Sequence, residues 1–136
     1  MDMTLRISRS LAARIIAETM RFPVEACGLL LGNDNDVDAI EPCANVHPTP
    51  ATHFEIDPAA LFRALRRARA GGPQVIGHYH SHPSGIAAPS ATDAAQAAAD
   101  GAFWLIVAGS DLTAWRASSD GAVHGRFDPV ALAIAP

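Results

Sequence analysis

Three of the chain's six histidines, His78, His80 and His82, fall within five positions in the stretch Ile76-Gly77-His78-Tyr79-His80-Ser81-His82-Pro83. A neutral imidazole nitrogen is the commonest protein ligand for zinc. Side chains alternate along a strand, so the three rings share one face of an extended segment, and two neighbours could grip one ion. An oxygen ligand must then come from elsewhere, and Asp93 follows His82 after ten intervening residues. Together His80, His82 and Asp93 offer two imidazoles and one carboxylate. That set leaves a tetrahedral zinc one position for water, as catalytic sites do and closed structural sites do not. Such an ion lowers the pKa of its water from about 15.7 toward roughly 7 and polarises a carbonyl. A carboxylate that is not a ligand is then needed to take the proton and hand it to a leaving amine. Glu25, just ahead of an apolar run, is the candidate.

Each of these residues also has a plainer reading. Ser90-Ala91-Thr92-Asp93 fits a capping box, which would explain Ser90 and Asp93 without any metal. The two readings are compatible, because one carboxylate oxygen can bind an ion while the serine still caps. The histidines could be satisfied polar groups, and Glu25 a surface residue near a helix end. An H-x-H motif closing an apolar strand beside Pro83-Ser84-Gly85 favours the metal.

The elements that would position these residues follow from periodicity. Leu5-Arg6-Ile7 alternates as a short strand, and Ser8 or Ser10 caps a helix through Met20 with Leu11, Ile15, Ile16 and Met20 on its apolar face. Residues 27–32 are continuously apolar and read as a buried strand, followed by a turn at Asn33-Asp34-Asn35-Asp36 and a strand over 37–43. That acidic turn lacks the glycine and terminal glutamate of an EF-hand, so it reads as a hairpin turn. A loop over 44–52 leads to a short strand at His53-Phe54-Glu55-Ile56. Asp57-Pro58 opens a helix to about Ala70, with Leu61, Leu65 and Ala68 inward and Gly71-Gly72 as its stop. Its outer face carries Arg63, Arg66, Arg67 and Arg69, a solvated face or, as the lesser reading, a dock for an acidic partner. The histidine strand comes next, then an alanine-rich helix over 90–100 and strands over 103–108, 112–117 and 123–127. The expected order is βαβββαβαβββ, an α/β domain with one mixed sheet flanked by helices.

Bulk composition narrows the class. At 136 residues, 49% hydrophobic and 18% charged, the chain suits one soluble domain, here taken as residues 1–136. A net charge of −4 gives no support for nucleic-acid binding. No apolar run fits a signal peptide or a membrane span, and Cys27 and Cys43 form no C-x-x-C pair, so a reducing cytoplasm is the expectation.

The pattern His80-x-His82-x10-Asp93, with Ser90 three before the aspartate and Glu25 upstream, resembles the JAMM (MPN-plus) zinc metallopeptidases. The segments Pro23-x-Glu25-x-Cys27-Gly28-x-Leu30-x-Gly32 and Gly77-x-Tyr79-His80-Ser81-His82-Pro83 resemble the family's glutamate-bearing and histidine segments, and Asn45 and Phe54-x-Ile56-Asp57 also match. The resemblance covers roughly residues 5–127. It implies zinc held by His80, His82 and Asp93, Glu25 as general base and acid, and Ser90 hydrogen-bonding the oxyanion or the attacking water. It implies a cytidine-deaminase-like fold, although the deaminases' P-C-x-x-C ligands are absent. His78 matches no family ligand and would sit behind the ligands or line the cleft. His47 and His53 match none either.

As substrate, the resemblance implies the amide bond after the C-terminal Gly-Gly of a ubiquitin-like or sulfur-carrier protein. Glycine allows close approach to a metal, and a Gly-Gly tail could lie extended along a sheet edge. Three alternatives stand beside it: a peptidase outside ubiquitin-like chemistry, a JAMM-like protein linked to DNA repair, and a non-catalytic MPN-type interaction scaffold. The complete ligand set speaks against the scaffold, and the Pro-x-Glu-x-Cys-Gly segment with the acidic balance against the repair protein.

Overall fold

The apolar runs become the middle of one seven-stranded sheet in the computed structural model, which describes residues 4–136. In chain order the elements are β1 (Thr4–Ser8), α1 (Arg9–Met20), β2 (Cys27–Asn33), β3 (Asp36–Cys43), α2 (Pro58–Arg69), β4 (Gln74–Ser81), α3 (Ala91–Gln96), β5 (Phe103–Ala108), β6 (Asp111–Gly121) and β7 (Gly125–Ala135). All six residues of β5 are buried, as their uniform apolarity requires. The strand order is β1-β3-β2-β4-β5-β6-β7, and β7 returns to β1. The sheet is mixed. β4 and β5 are parallel neighbours joined through α3, and β2 lies antiparallel on β4's other side.

The sheet closes through β1. β1 pairs with β7 over five residue pairs and meets β3 through Arg6 and Asp36. The contact with β3 is that single pair, so among the described residues β3 beyond Asp36 is hydrogen-bonded in the sheet on its β2 side only. The expected strand at 53–56 is also reduced, to a single antiparallel bridge between Asn45 and Ile56.

Alternation along the strands sorts two faces. Leu30, Tyr79, Leu105 and Val107 point to the core that α1 covers with Ala12 and Ile15. His78, His80, Trp104 and Leu29 occupy the alternate positions, and Trp104 packs with Phe54 and Phe127. The histidines thus stand on the wall opposite the main core because Tyr79 is anchored inside it.

Both long helices sit slightly rotated from the expected faces. In α1 the buried residues are Ala12, Ile15 and Thr19, with Leu11 and Ile16 flanking, while Met20 at the frayed end is 69% exposed. In α2 the buried positions are Ala60 and Ala64, whereas Leu65 is largely exposed and Leu61 only partly covered. Two alanines let the helix lie close against Leu29 and Leu31, which leaves the larger side chains at its margins. Of the arginine face, Arg67 pairs with Glu41 of β3 and Arg66 lies over Phe62. The stop at Gly71 is conformational, with φ at 98°. α3 ends early, at Gln96, because Ala97 turns extended (ψ 133°) and the Gly101 N–H is taken by Ala117. β6 and β7 run longer than expected.

Gly77 sets the spacing of the two strands beneath the histidines. A Cβ there would stand 2.1 Å from the Phe103 carbonyl oxygen, a backbone atom that cannot swing away. Gly77→Ala should therefore cost about 1–3 kcal/mol, the range for overpacking a tight contact. Urea denaturation will read this as a lower midpoint with unchanged slope; an unchanged midpoint would mean that β4 and β5 separate freely.

Candidate metal centre

His80 sits near the C-terminal end of β4, opposite Cys27 of β2 and Ile106 of β5. His82 lies just past that end, its N–H held by the Val107 carbonyl at 2.8 Å. Ends of parallel strands are where open α/β sheets gather ligands. Asp93 arrives from α3, whose start is a full capping box: Ser90 Oγ accepts from the Asp93 N–H at 3.0 Å, and Asp93 Oδ2 accepts from the Ser90 N–H at 2.9 Å. The loop between them is fastened from outside. Thr113 Oγ1 donates to the Ala87 carbonyl at 2.8 Å, and His124 Nε2 donates to the Pro89 carbonyl at 3.1 Å.

These supports bring three donor atoms to one point. His80 Nε2 and His82 Nε2 are 2.9 Å apart, His80 Nε2 is 3.2 Å from Asp93 Oδ1, and His82 Nε2 is 3.0 Å from Asp93 Oδ2. Glu25 completes a buried group of four whose ligand atoms all lie within 4.8 Å of one another. His80 is 0% exposed and Asp93 2%.

The proton assignment shows what this geometry requires. His82 Nδ1 lies 2.8 Å from the Ile86 carbonyl, which can only accept, so Nδ1 carries the proton. In the neutral ring Nε2 is then an acceptor, yet it faces a carboxylate and a second imidazole nitrogen. A cation at the centre would satisfy these acceptors together. Around a four-coordinate ion with bonds of about 2.0–2.1 Å, ligand atoms stand ~3.3 Å apart. The observed separations of 2.9, 3.0 and 3.2 Å, the last two to different oxygens of Asp93, lie close to that spacing. The residues fit a metal ion.

Burial and charge act in opposite senses here. Burial would raise Asp93, but its contacts with the two imidazoles and with the Ser90 N–H outweigh it and hold the carboxyl far below its usual range. Burial drives His80 down despite Asp93, so its ring is neutral. For His82 the burial effect is overcome by its bonds to Asp93 and the Ile86 carbonyl, and the net shift is upward. Glu25 is pushed up to about 7, chiefly by burial, with His82 opposing and Asp93 adding to the rise. Its Oε1 is buried without a hydrogen-bond partner.

The remaining histidines separate. His78 packs edge-on to Trp104 at 4.4 Å and against Phe54, and burial lowers it to about 3; it lies behind the cluster and outside it. His47 and His53 stack on each other at 4.5 Å in the loop. Ser90 lines a cleft of about 230 Å³ with Glu25, Thr52, His82, Ser84 and Thr92. Phe54, stacked on His80 at 4.2 Å and 17°, and the Ile86 carbonyl both hold the imidazoles. Neither role is readable from spacing, since each depends on how distant segments meet.

The profile described as prokaryotic homologs of the JAB domain matches residues 8–118. A protein of Haloferax volcanii named desampylase is 37% identical over 86 residues, 62% of this chain and 62% of its own length. A protein of Thermus thermophilus named probable TtuB-protein conjugate cleaving protease is 38% identical over 96 residues, 70% of this chain and 64% of its own. The chain thus spans a little under two thirds of these two relatives. A solution structure of a Desulfitobacterium hafniense protein superposes with a TM-score of 0.80 at 26% identity, covering 96% of this chain and 92% of that one.

If the three converging atoms bind a cation, folding and binding are linked. A divalent ion at about 100 times its Kd should add about 2.7 kcal/mol to the stability. Thermal unfolding with and without zinc will show this as a raised midpoint in the wild type and little rise in Asp93→Ala. An equal rise in both proteins would place the ion elsewhere.

Proposed function

We propose that this chain, which belongs to the family of prokaryotic homologs of the JAB domain, is a zinc-dependent isopeptidase acting after the C-terminal Gly-Gly of a ubiquitin-like or sulfur-carrier protein. In this reading the described residues 4–136 make up one metallopeptidase domain. The observation that carries this reading is the unpartnered Glu25 carboxylate oxygen beside the converging His80, His82 and Asp93 ligand atoms. The names of the Haloferax and Thermus relatives supply the substrate class, since one is a desampylase and the other cleaves protein conjugates.

His80, His82 and Asp93 would hold the ion. Two imidazoles and a carboxylate suit zinc among other divalent metals. Bound there, zinc would acidify a water and polarise the scissile carbonyl. The chain's own residues do the rest. Glu25 accepts the water's proton at its free carboxylate oxygen and returns it to the nitrogen of the departing amine; its elevated affinity for protons, near neutrality, suits both transfers. Ser90 takes the Asp93 N–H on its oxygen, so its own hydroxyl proton stays available to the developing oxyanion. Phe54 and the Ile86 carbonyl keep the imidazoles from rotating. A tail lying in the cleft meets Thr52 on one wall and Ser84 and Thr92 on the other.

A cytoplasmic setting fits the free thiols of Cys27 and Cys43, which stand opposite each other on β2 and β3. Burial pushes them up to about 12 and about 11, so neither offers a competing thiolate nucleophile.

The direct test is incubation of metal-loaded protein with ubiquitin-like proteins ending in Gly-Gly, joined to a peptide through an α-amide or a lysine isopeptide. Release of the Gly-Gly terminus is expected. Failure on every conjugate, with zinc bound, would end the proposal, and cleavage of plain peptides alone would redirect it to general proteolysis. Glu25→Gln should retain zinc and fold while losing turnover by about 10²–10⁴-fold, the worth of a positioned general base. Metal analysis alongside kinetics checks it; substantial activity in that variant removes Glu25 from the chemistry.

A further inference from the structure

Glu25 has no side-chain anchor for its buried Oε1, and it stands in the irregular stretch between α1 and β2. Its direction is therefore set through the backbone. Its N–H donates to the Pro50 carbonyl at 2.8 Å, and its own carbonyl accepts from Asn45 Nδ2 at 2.8 Å. Both partners belong to one strap, residues 44–57, which crosses beside the cleft and lines it with Ala51 and Thr52. The following residue is held separately, by Ser81: Ala26 N–H donates to Ser81 Oγ, and the Ser81 N–H to the Ala26 carbonyl, both at 2.9 Å.

Asn45 spends its whole hydrogen-bonding capacity on this junction. Its second N–H donates to the His53 carbonyl at 2.9 Å, and its Oδ1 accepts the His47 and Glu55 N–H groups at 3.0 Å each. Two donors and two lone pairs are all that a carboxamide possesses. The strap's own backbone bonds, Val46 N–H to Glu55 and Asp57 N–H to Ala44, close the strap on itself without reaching Glu25. The amide is thus the side chain that converts the strap's shape into a position for Glu25.

We infer that Asn45 is a positioning residue for the reaction: it fixes Glu25 over the converging His80, His82 and Asp93 atoms by clamping the Glu25 carbonyl to the strap. This rests on the reading of Glu25 as proton carrier. The donors are the essential part. Aspartate has the same shape, but it would set a charged oxygen against the two carbonyls of Glu25 and His53. Glutamine keeps both N–H groups on a longer stem.

The test compares Asn45→Asp and Asn45→Gln with wild type, all zinc-loaded, in conjugate cleavage and in amide hydrogen exchange by NMR. Asn45→Asp should lower kcat about 10- to 100-fold, as expected for a displaced catalytic group, with zinc content and KM unchanged. Asn45→Gln should keep more kcat than Asn45→Asp, the reverse of what space-filling alone predicts. Exchange at the Glu25 amide should quicken in Asn45→Asp while the His80 amide stays protected. Wild-type kcat in Asn45→Asp, glutamine no better than aspartate, or an unaltered Glu25 amide would each overturn the inference. Should Asn45→Asp fail to fold, Asn45→Gln alone must show reduced kcat with faster Glu25 exchange. Should wild type cleave nothing, the exchange result still decides the role of Asn45, and only the proposed activity falls.

Discussion

A carboxylate and two imidazole nitrogens, buried and pointed at the same spot, repel one another unless positive charge sits between them. Most of the structure around Asp93 makes sense as an answer to that constraint. Taking an ionised carboxyl to 2% exposure is expensive unless it is paired and hydrogen-bonded. Asp93 meets the requirement by accepting the Ser90 N–H as well as facing both rings. The short helix α3 therefore has its start dictated by the same residue that faces the histidines. Its brevity follows, because the chain needs only enough helix to present Asp93 before turning toward β5.

Glu25 is built on the opposite rule. A buried polar atom left without a partner costs about 1–3 kcal/mol, and this one lies next to a group that already concentrates charge. Stability alone would favour an apolar side chain or a partner for it. Keeping the oxygen unengaged makes sense where that oxygen must accept something that comes and goes.

Much of this was legible in the residues. The uniformly apolar β2 and β5 and the capped helix starts at Ser8, Asp57 and Ser90 follow local pattern, and the spacing of His80, His82 and Asp93 with the family resemblance points to the cluster that Glu25 joins from afar. What escaped depends on distant partners. Leu65 on α2 and Met20 on α1 look inward by period, but the closeness of helix to sheet is decided by Ala60 and Ala64, and no window of sequence carries that distance. β7 extends through Pro129 to Ala135, where alanine and proline hide the strand pattern until β1 pairs beside it. That same pairing closes the sheet. Asn45 was visible as a matching residue, but its hold on the Glu25 carbonyl joins positions twenty apart.

Closure has a consequence for how the two halves of the site are supported. The imidazoles rest on β4 and β5, whose side chains fill the interior, so their placement shares the cooperativity of the whole barrel. Glu25 instead lies between the end of α1 and the strap, its N–H held by the Pro50 carbonyl and its own carbonyl by the Asn45 side chain. On the proposed reading, the barrel places the ion's ligands while the strap places Glu25. On that reading ion binding and turnover rest on different parts of the fold, and a change in the strap can alter one without disturbing the other.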